Sequence, residues 1–308
     1  MLNTPGVVVP RILVTGVSGQ VGWELARSLA SLGHVTCLDL PTLDFTKPET
    51  IRAALTAAAP TIVVNPAAYT AVDHAEREAD LAFAINGRAP AVLAEECQRL
   101  GALLIHYSTD YIFDGTKAGA YLEDDLPHPL GVYGQSKLDG EQAVRDSGCP
   151  HLLLRTSWVY GARGKNFLLT VLRLGRERDR LAIVDDQIGA PTWARTLADV
   201  TAQMVARWLR ATPIERAALS GTYHATAAGH TSWCGFAAAA FERAAAMGLG
   251  RPPIVEPIPT SAYPTPARRP MNSVLDNSKL GDVFGLALPA WDESLTQCMQ
   301  DLGAQSFR

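Results

Sequence analysis

Long apolar runs are missing from this chain. No stretch approaches the ~18 consecutive apolar residues that a membrane-spanning helix needs, so a helical membrane protein is not expected. Cysteine is scarce as well. Cys37, Cys97, Cys149, Cys234 and Cys298 are widely spaced and odd in number, and none forms a C-x-x-C pair. That pattern supports neither a zinc site nor a disulfide framework, and it suits buried thiols in a reducing cytoplasm. An excess of positive charge is also lacking. With 27 Lys and Arg against 31 Asp and Glu, the net charge is -4, which argues against a nucleic-acid partner, whose footprint would be a basic patch. The acidic run Glu123-Asp124-Asp125 is short and reads as a solvated turn. Met1 to Pro10 carries the apolar triplet Val7-Val8-Val9 without a basic region or a small-residue cleavage site, so no signal peptide is expected.

What is present is ample core material. Hydrophobic residues make up 47% of 308 and charged residues 19%, the balance of a globular protein of one large domain or two coupled ones. Short apolar runs alternate with helical stretches through the first half. Strands are expected at Arg11–Thr15, 34–38, 61–64, 103–107 and from Leu152, with helices at 21–32, 51–59 and within 89–100. Fully apolar strands alternating with helices mean a parallel sheet covered on both faces. After about residue 160 strands thin out, helices persist at 166–176, 197–210, 233–247 and 294–302, and seven prolines crowd Pro252 to Pro270. The fold class expected is α/β, a doubly wound parallel sheet of Rossmann type. Residues 11–160, with later returning segments, would form the dinucleotide-binding domain. Residues 161–308 would be mainly a smaller substrate-binding region, packed over the carboxyl ends of the strands.

Between the first strand and first helix lies Gly16-Val17-Ser18-Gly19-Gln20-Val21-Gly22. Glycines there let the backbone turn tightly and approach a pyrophosphate, while the helix N-terminus offers unpaired N–H groups. The spacing is G-x-x-G-x-x-G, and a glycine-rich turn alone is weak evidence. Asp39 strengthens it, standing at the end of the second strand where a carboxylate meets an adenosine ribose. Gly16, Gly19, Gln20, Val21, Gly22, Asp39 and Leu40 are therefore candidate cofactor residues. Asp44, Phe45, Ala67, Ala68 and Tyr69 join them because they follow the next strands at the same edge. Asp39 favours NADH by repelling a 2′-phosphate, yet NADPH stays open.

Tyr133 and Lys137 lie four residues apart in an expected helix, which places them on one face. Ser108 and Thr109 follow directly on a buried strand. The bland reading is a surface tyrosine and a solvated lysine. The sharper one is a ketone reductase: an ammonium lowers the phenol's pKa from ~10, the phenol protonates a carbonyl oxygen, and Ser108 or Thr109 holds that oxygen.

At this point the sequence resembles the extended short-chain dehydrogenase/reductase family and, more narrowly, the dTDP-4-dehydrorhamnose reductases. The resemblance runs from Arg11 nearly to the C-terminus. It rests on the G-x-x-G-Q-x-G turn, NPAAYTAVD (65–73), STDYIFDG (108–115), YGQSKLDGE (133–141), RTSWVYG (155–161), DQIGAPT (186–192) and RPMNS (269–273). It implies reduction of the C4 ketone of dTDP-6-deoxy-L-lyxo-4-hexulose to dTDP-L-rhamnose, with NADPH or NADH. It makes Thr109, Tyr133 and Lys137 catalytic, with Tyr133 and Lys137 also touching the cofactor. It sends Thr70, Val72, Ser108, Tyr111 and Trp158 toward the sugar, and Arg268 or Arg269 toward the diphosphate. Core packing is the commoner fate of a tryptophan such as Trp158, and a surface role is open to either arginine. Pro66 stands where an alanine is commoner. Glu24 resembles a glutamate through which some bacterial members build magnesium-linked homodimers. Arg195 stands where the second carboxylate is wanted, so no metal is expected and a homodimer stays open.

Three other readings remain at this stage. One is a ketoreductase for another dTDP-deoxysugar, with the same chemistry. Another is a cofactor-binding regulatory subunit similar to the methionine adenosyltransferase β-subunits, and the third is a nucleotide-sugar epimerase.

Overall fold

A computed structural model describes residues 9–305; the apolar triplet at the N-terminus falls mostly outside them. The first five strands are β1 (Arg11–Thr15), β2 (His34–Leu38), β3 (Ile62–Asn65), β4 (Leu103–Thr109) and β5 (His151–Thr156). With the strand Gly221–His224 they form one six-stranded sheet. Its order is Gly221–His224, β5, β4, β3, β1, β2, and every neighbouring pair is parallel. The last strand comes from the second half of the chain. The order reverses direction between β1 and β3, the switch point at which open α/β sheets bind ligands.

The sheet has a covered face on each side because its side chains alternate. Ile12, Val14, Ile62, Val64, Ile105 and Leu154 point one way, into a cluster with Leu25 and Leu29 and with Leu197, Met204 and Trp208 of the helix Ala194–Arg210. Leu13, Val63, Leu104 and Leu153 point the other way. They meet Ile51 and Leu55 of the helix α2 (Pro48–Ala58) and Leu93 and Cys97 of the helix Ala89–Leu100. Each such side chain contributes roughly 1.5–3 kcal/mol on leaving water, so the apolar strand sequences dictate the three-layer arrangement.

Some boundaries differ from expectation. The first helix, α1, spans Gln20–Ser28 and stops four residues before the expected end. Leu29 to Leu32 instead make a turn, because the chain must swing back for the His34 N–H to reach the Pro10 carbonyl at 2.8 Å. Strand β4 runs two residues further than expected, carrying Ser108 and Thr109 to its carboxyl end. The proline-rich segment holds one strand, Ile254–Ile258, paired only with Arg180–Val184, in keeping with the confinement of proline to strands with a free edge. No helix among the described residues is long and apolar enough to cross a membrane. All five cysteines are free thiols, and only Cys37 is exposed.

Candidate active site

The turn after β1 is built for close backbone approach. Gly16 has φ +57°, and a Cβ there would fall 2.8 Å from Ala67; a Cβ on Gly22 would fall 2.2 Å from the Gly16 carbonyl oxygen. A side chain at Gly16 would fill the space against the segment after β3, and one at Gly22 would push α1 off the turn. Helix α1 starts beyond this turn with no side-chain cap and no acidic residue in its first turn, so its N–H groups and positive dipole end remain available to an anion. Asp39 steadies the loop. It accepts hydrogen bonds from the Ser18 N–H and its neighbour Leu40 N–H, both at 2.9 Å. Burial pushes its carboxyl up, but these bonds outweigh it and hold the group below the usual carboxylate range.

A cleft of about 620 Å³ opens over this turn and runs along the carboxyl ends of the strands. Gly16, Gly19, Gln20, Val21, Gly22, Asp39, Ala67 and Ala68 line one end of it. Ser108, Thr109, Tyr111, Tyr133, Lys137 and Trp158 line the other, with Thr70 and Val72 at its side. Residues 70, 72, 111 and Trp233 also edge a second cavity of about 910 Å³, to which Asp73, Gln187 and Arg269 contribute. The donor set and the glycine cradle fit a dinucleotide at the first end, with room beyond it for a second ligand.

Tyr133 and Lys137 lie in the helix Val132–Asp146. This helix can press close because Gly134 and Gly140 sit where a Cβ would strike the Tyr111 and Asn86 carbonyl oxygens at 2.2 and 2.1 Å. Tyr133 meets the Tyr111 ring edge to face, with centroids 5.4 Å apart. Lys137, 2% exposed, donates from Nζ to the Tyr107 carbonyl at 2.6 Å. Burial draws its pKa down to about 8, and Glu141 opposes that. The expected lowering of the phenol by Lys137 is not what the geometry gives. Burial pushes Tyr133 up to about 12, its contact with the Thr109 hydroxyl opposes this, and Asp110 adds to it. The phenol is therefore held in its neutral form near pH 7.

Asp110 is a residue that sequence reasoning passed over. It accepts a hydrogen bond from the Thr109 hydroxyl at 3.0 Å, and burial raises its pKa to about 6. Also unforeseen is the anchor under the helix. Glu141, eight residues after Tyr133, is fully buried and accepts from Arg155 Nη2 at 2.8 Å and Nε at 3.0 Å. A helical i, i+4, i+8 ladder of Tyr, Lys and Glu was visible in the sequence; its arginine partner, on β5, was not.

Five proposed residues lie outside the cleft walls. Leu40 is 68% exposed. Asp44 turns to the Thr46 backbone and hydroxyl, and Phe45 packs against the core beneath α2. The Tyr69 hydroxyl donates to Glu78, at 2.5 Å. Arg268 is exposed, whereas Arg269 sits at the second cavity and grips both oxygens of Asp73 at 3.0 and 2.8 Å. Of the two arginines considered, the fold thus brings Arg269 to the second cavity. Lys165 lines the cleft near the glycine turn although no motif pointed to it. Outside the cleft lining, further along α1, the Glu24 carboxylate accepts from Arg195 at 3.1 and 3.3 Å.

Residues 10–304 match the family described as the RmlD substrate binding domain. A dTDP-4-dehydrorhamnose reductase of Burkholderia thailandensis is 52% identical over 304 residues, covering 96% of this chain and 100% of that protein. One from Escherichia coli K12 is 42% identical, covering 94% and 97%. The crystal structure of dTDP-4-dehydrorhamnose reductase from Bacillus anthracis in complex with NADP superposes with a TM-score of 0.86 at 34% identity, covering 96% of this chain and 100% of that one.

Proposed function

The chain belongs to the RmlD substrate binding domain family, and from that premise we propose that it is a dTDP-4-dehydrorhamnose reductase. It uses NADPH or NADH to reduce the C4 ketone of dTDP-6-deoxy-L-lyxo-4-hexulose to dTDP-L-rhamnose. The observation that carries the reading is the meeting of Thr109, Tyr133 and Lys137 on one cleft with the Gly16–Gly22 turn.

When bound, the nicotinamide cofactor supplies a hydride to the ketone carbon. The start of α1, beyond the turn where Gly16 and Gly19 leave room for close approach, would hold its pyrophosphate through backbone N–H groups. Tyr133, whose proton burial secures, donates that proton to the ketone oxygen. Thr109, in contact with the phenol, would turn its hydroxyl from Asp110 to give the same oxygen a second hydrogen bond. Lys137 places a positive charge beneath the cleft and is held there by the Tyr107 carbonyl. Tyr111, Trp158, Thr70 and Val72 enclose the sugar, and the nucleotide half extends into the second cavity toward Arg269. Arg269 would have to share its guanidinium between Asp73 and a diphosphate. Residues up to about 160, with the returning Gly221–His224 strand, serve mainly the cofactor, and later residues the sugar nucleotide. The free thiols suit a reducing compartment such as the cytoplasm. If two copies pair, we propose that they do so without a bridging divalent ion, because Arg195 neutralises Glu24; a dimer that a chelator dissolves would refute this.

The test supplies the hexulose, made in situ by the preceding 3,5-epimerase, with NADPH or NADH, and follows cofactor absorbance and product NMR. Cofactor loss with dTDP-L-rhamnose formed is the expected result. Loss with the other C4 epimer would move the chain to another deoxysugar pathway. No loss would overturn the reductase reading.

A further inference from the structure

Trp158 leaves the sheet just after β5 with its backbone at φ +48°, a left-handed conformation that a bulky L-residue rarely adopts. Such a conformation persists only where the surroundings impose it. Here the imposing contact is Trp233, whose ring lies parallel to that of Trp158, with centroids 3.6 Å apart and planes inclined by 7°. Trp233 is itself fixed. Its indole N–H donates to Gln187 at 3.2 Å, Gln187 donates to the Thr260 hydroxyl at 3.0 Å, and Phe167 packs at 4.6 Å between ring centroids. Gly189 leaves room for the arrangement, since a Cβ there would fall 2.5 Å from Trp158 Cε2.

Two tryptophans stacked only to fill a core would both be buried. Neither is: both stay partly exposed and border the cleft that holds Tyr133, and Trp233 also borders the second cavity. We propose that Trp233 is a positioning residue for the reduction. Through its stack on Trp158, with Gly189 leaving the space, it holds the Trp158 indole as a fixed wall that sets the sugar ring relative to Tyr133. Its contacts with Trp158, Phe167 and Gln187 lie outside the glycine turn, so its effect falls on the sugar nucleotide and not on the cofactor. The proposal rests on the reductase reading above.

Trp233→Ala, Trp233→Phe and Gly189→Ala test it in the full chain, with KM measured separately for the sugar nucleotide and for NADPH. Trp233→Ala should raise the sugar-nucleotide KM about tenfold or more while the NADPH KM stays within about twofold. Trp233→Phe, which keeps an aromatic face, should recover most of the loss. Gly189→Ala should act in the same direction with Trp233 intact, and it carries the test if Trp233→Ala does not fold. An unchanged sugar KM in folded variants, confirmed by near-ultraviolet circular dichroism, overturns the proposal. So does a parallel rise of both KM values, which would mean a merely structural role. In either case turnover by the wild type leaves the reductase reading standing. No turnover by the wild type removes that reading and this proposal together.

Discussion

The ammonium of Lys137 donates to the main-chain carbonyl of Tyr107 at 2.6 Å, tying the helix Val132–Asp146 to β4 below the cleft. The charge is held in an almost dry place, and burial draws its pKa down to about 8. The cation is therefore present below about pH 8 and lost above it. We predict that kcat/KM for the cofactor, which reports groups of the free enzyme, falls as pH rises through that value. A profile that stays level well into the alkaline range would remove the Lys137 charge from cofactor use.

In the proposed reaction Tyr133 donates the proton to the ketone oxygen. Tyr133→Phe should lower kcat by about 100-fold or more, the range for losing a general acid, while cofactor binding measured by fluorescence titration persists. An unchanged rate would take Tyr133 out of the reaction.

Asp39 is bonded to the Ser18 N–H and stands at the end of β2. Its carboxylate repels a 2′-phosphate, so Asp39→Ala should raise the ratio of NADPH to NADH efficiency by roughly tenfold. Losing the Ser18 bond should weaken both cofactors together. A ratio that does not move would assign the ribose to another residue.

Glu141 and Arg155 are both buried, 0% and 2% exposed, and pair through three hydrogen bonds. Removing one partner strands the other charge, which costs on the order of 3–5 kcal/mol. Glu141→Ala should lower the urea midpoint accordingly. A loss below about 1 kcal/mol would mean that Arg155 finds water or another acceptor.

Much was legible from local pattern. Apolar strands such as Ile62–Asn65 can only be central and parallel, and glycines at 16, 19 and 22 admit few roles between a strand and a helix. The Tyr133–Lys137 spacing places both on one helix face wherever that helix goes. These features follow from periodicity and backbone sterics, which act over a few residues and are written directly in the order of the chain.

Only the tertiary structure decided what depends on distant segments meeting. It set the phenol of Tyr133 in a buried place where desolvation, not Lys137, governs its pKa. It set Arg269 and not Arg268 at the second cavity, paired Asp44 with Thr46 and Tyr69 with Glu78, and laid Trp233 on Trp158. Burial and contact between residues far apart in sequence arise from packing, and no local spacing encodes them.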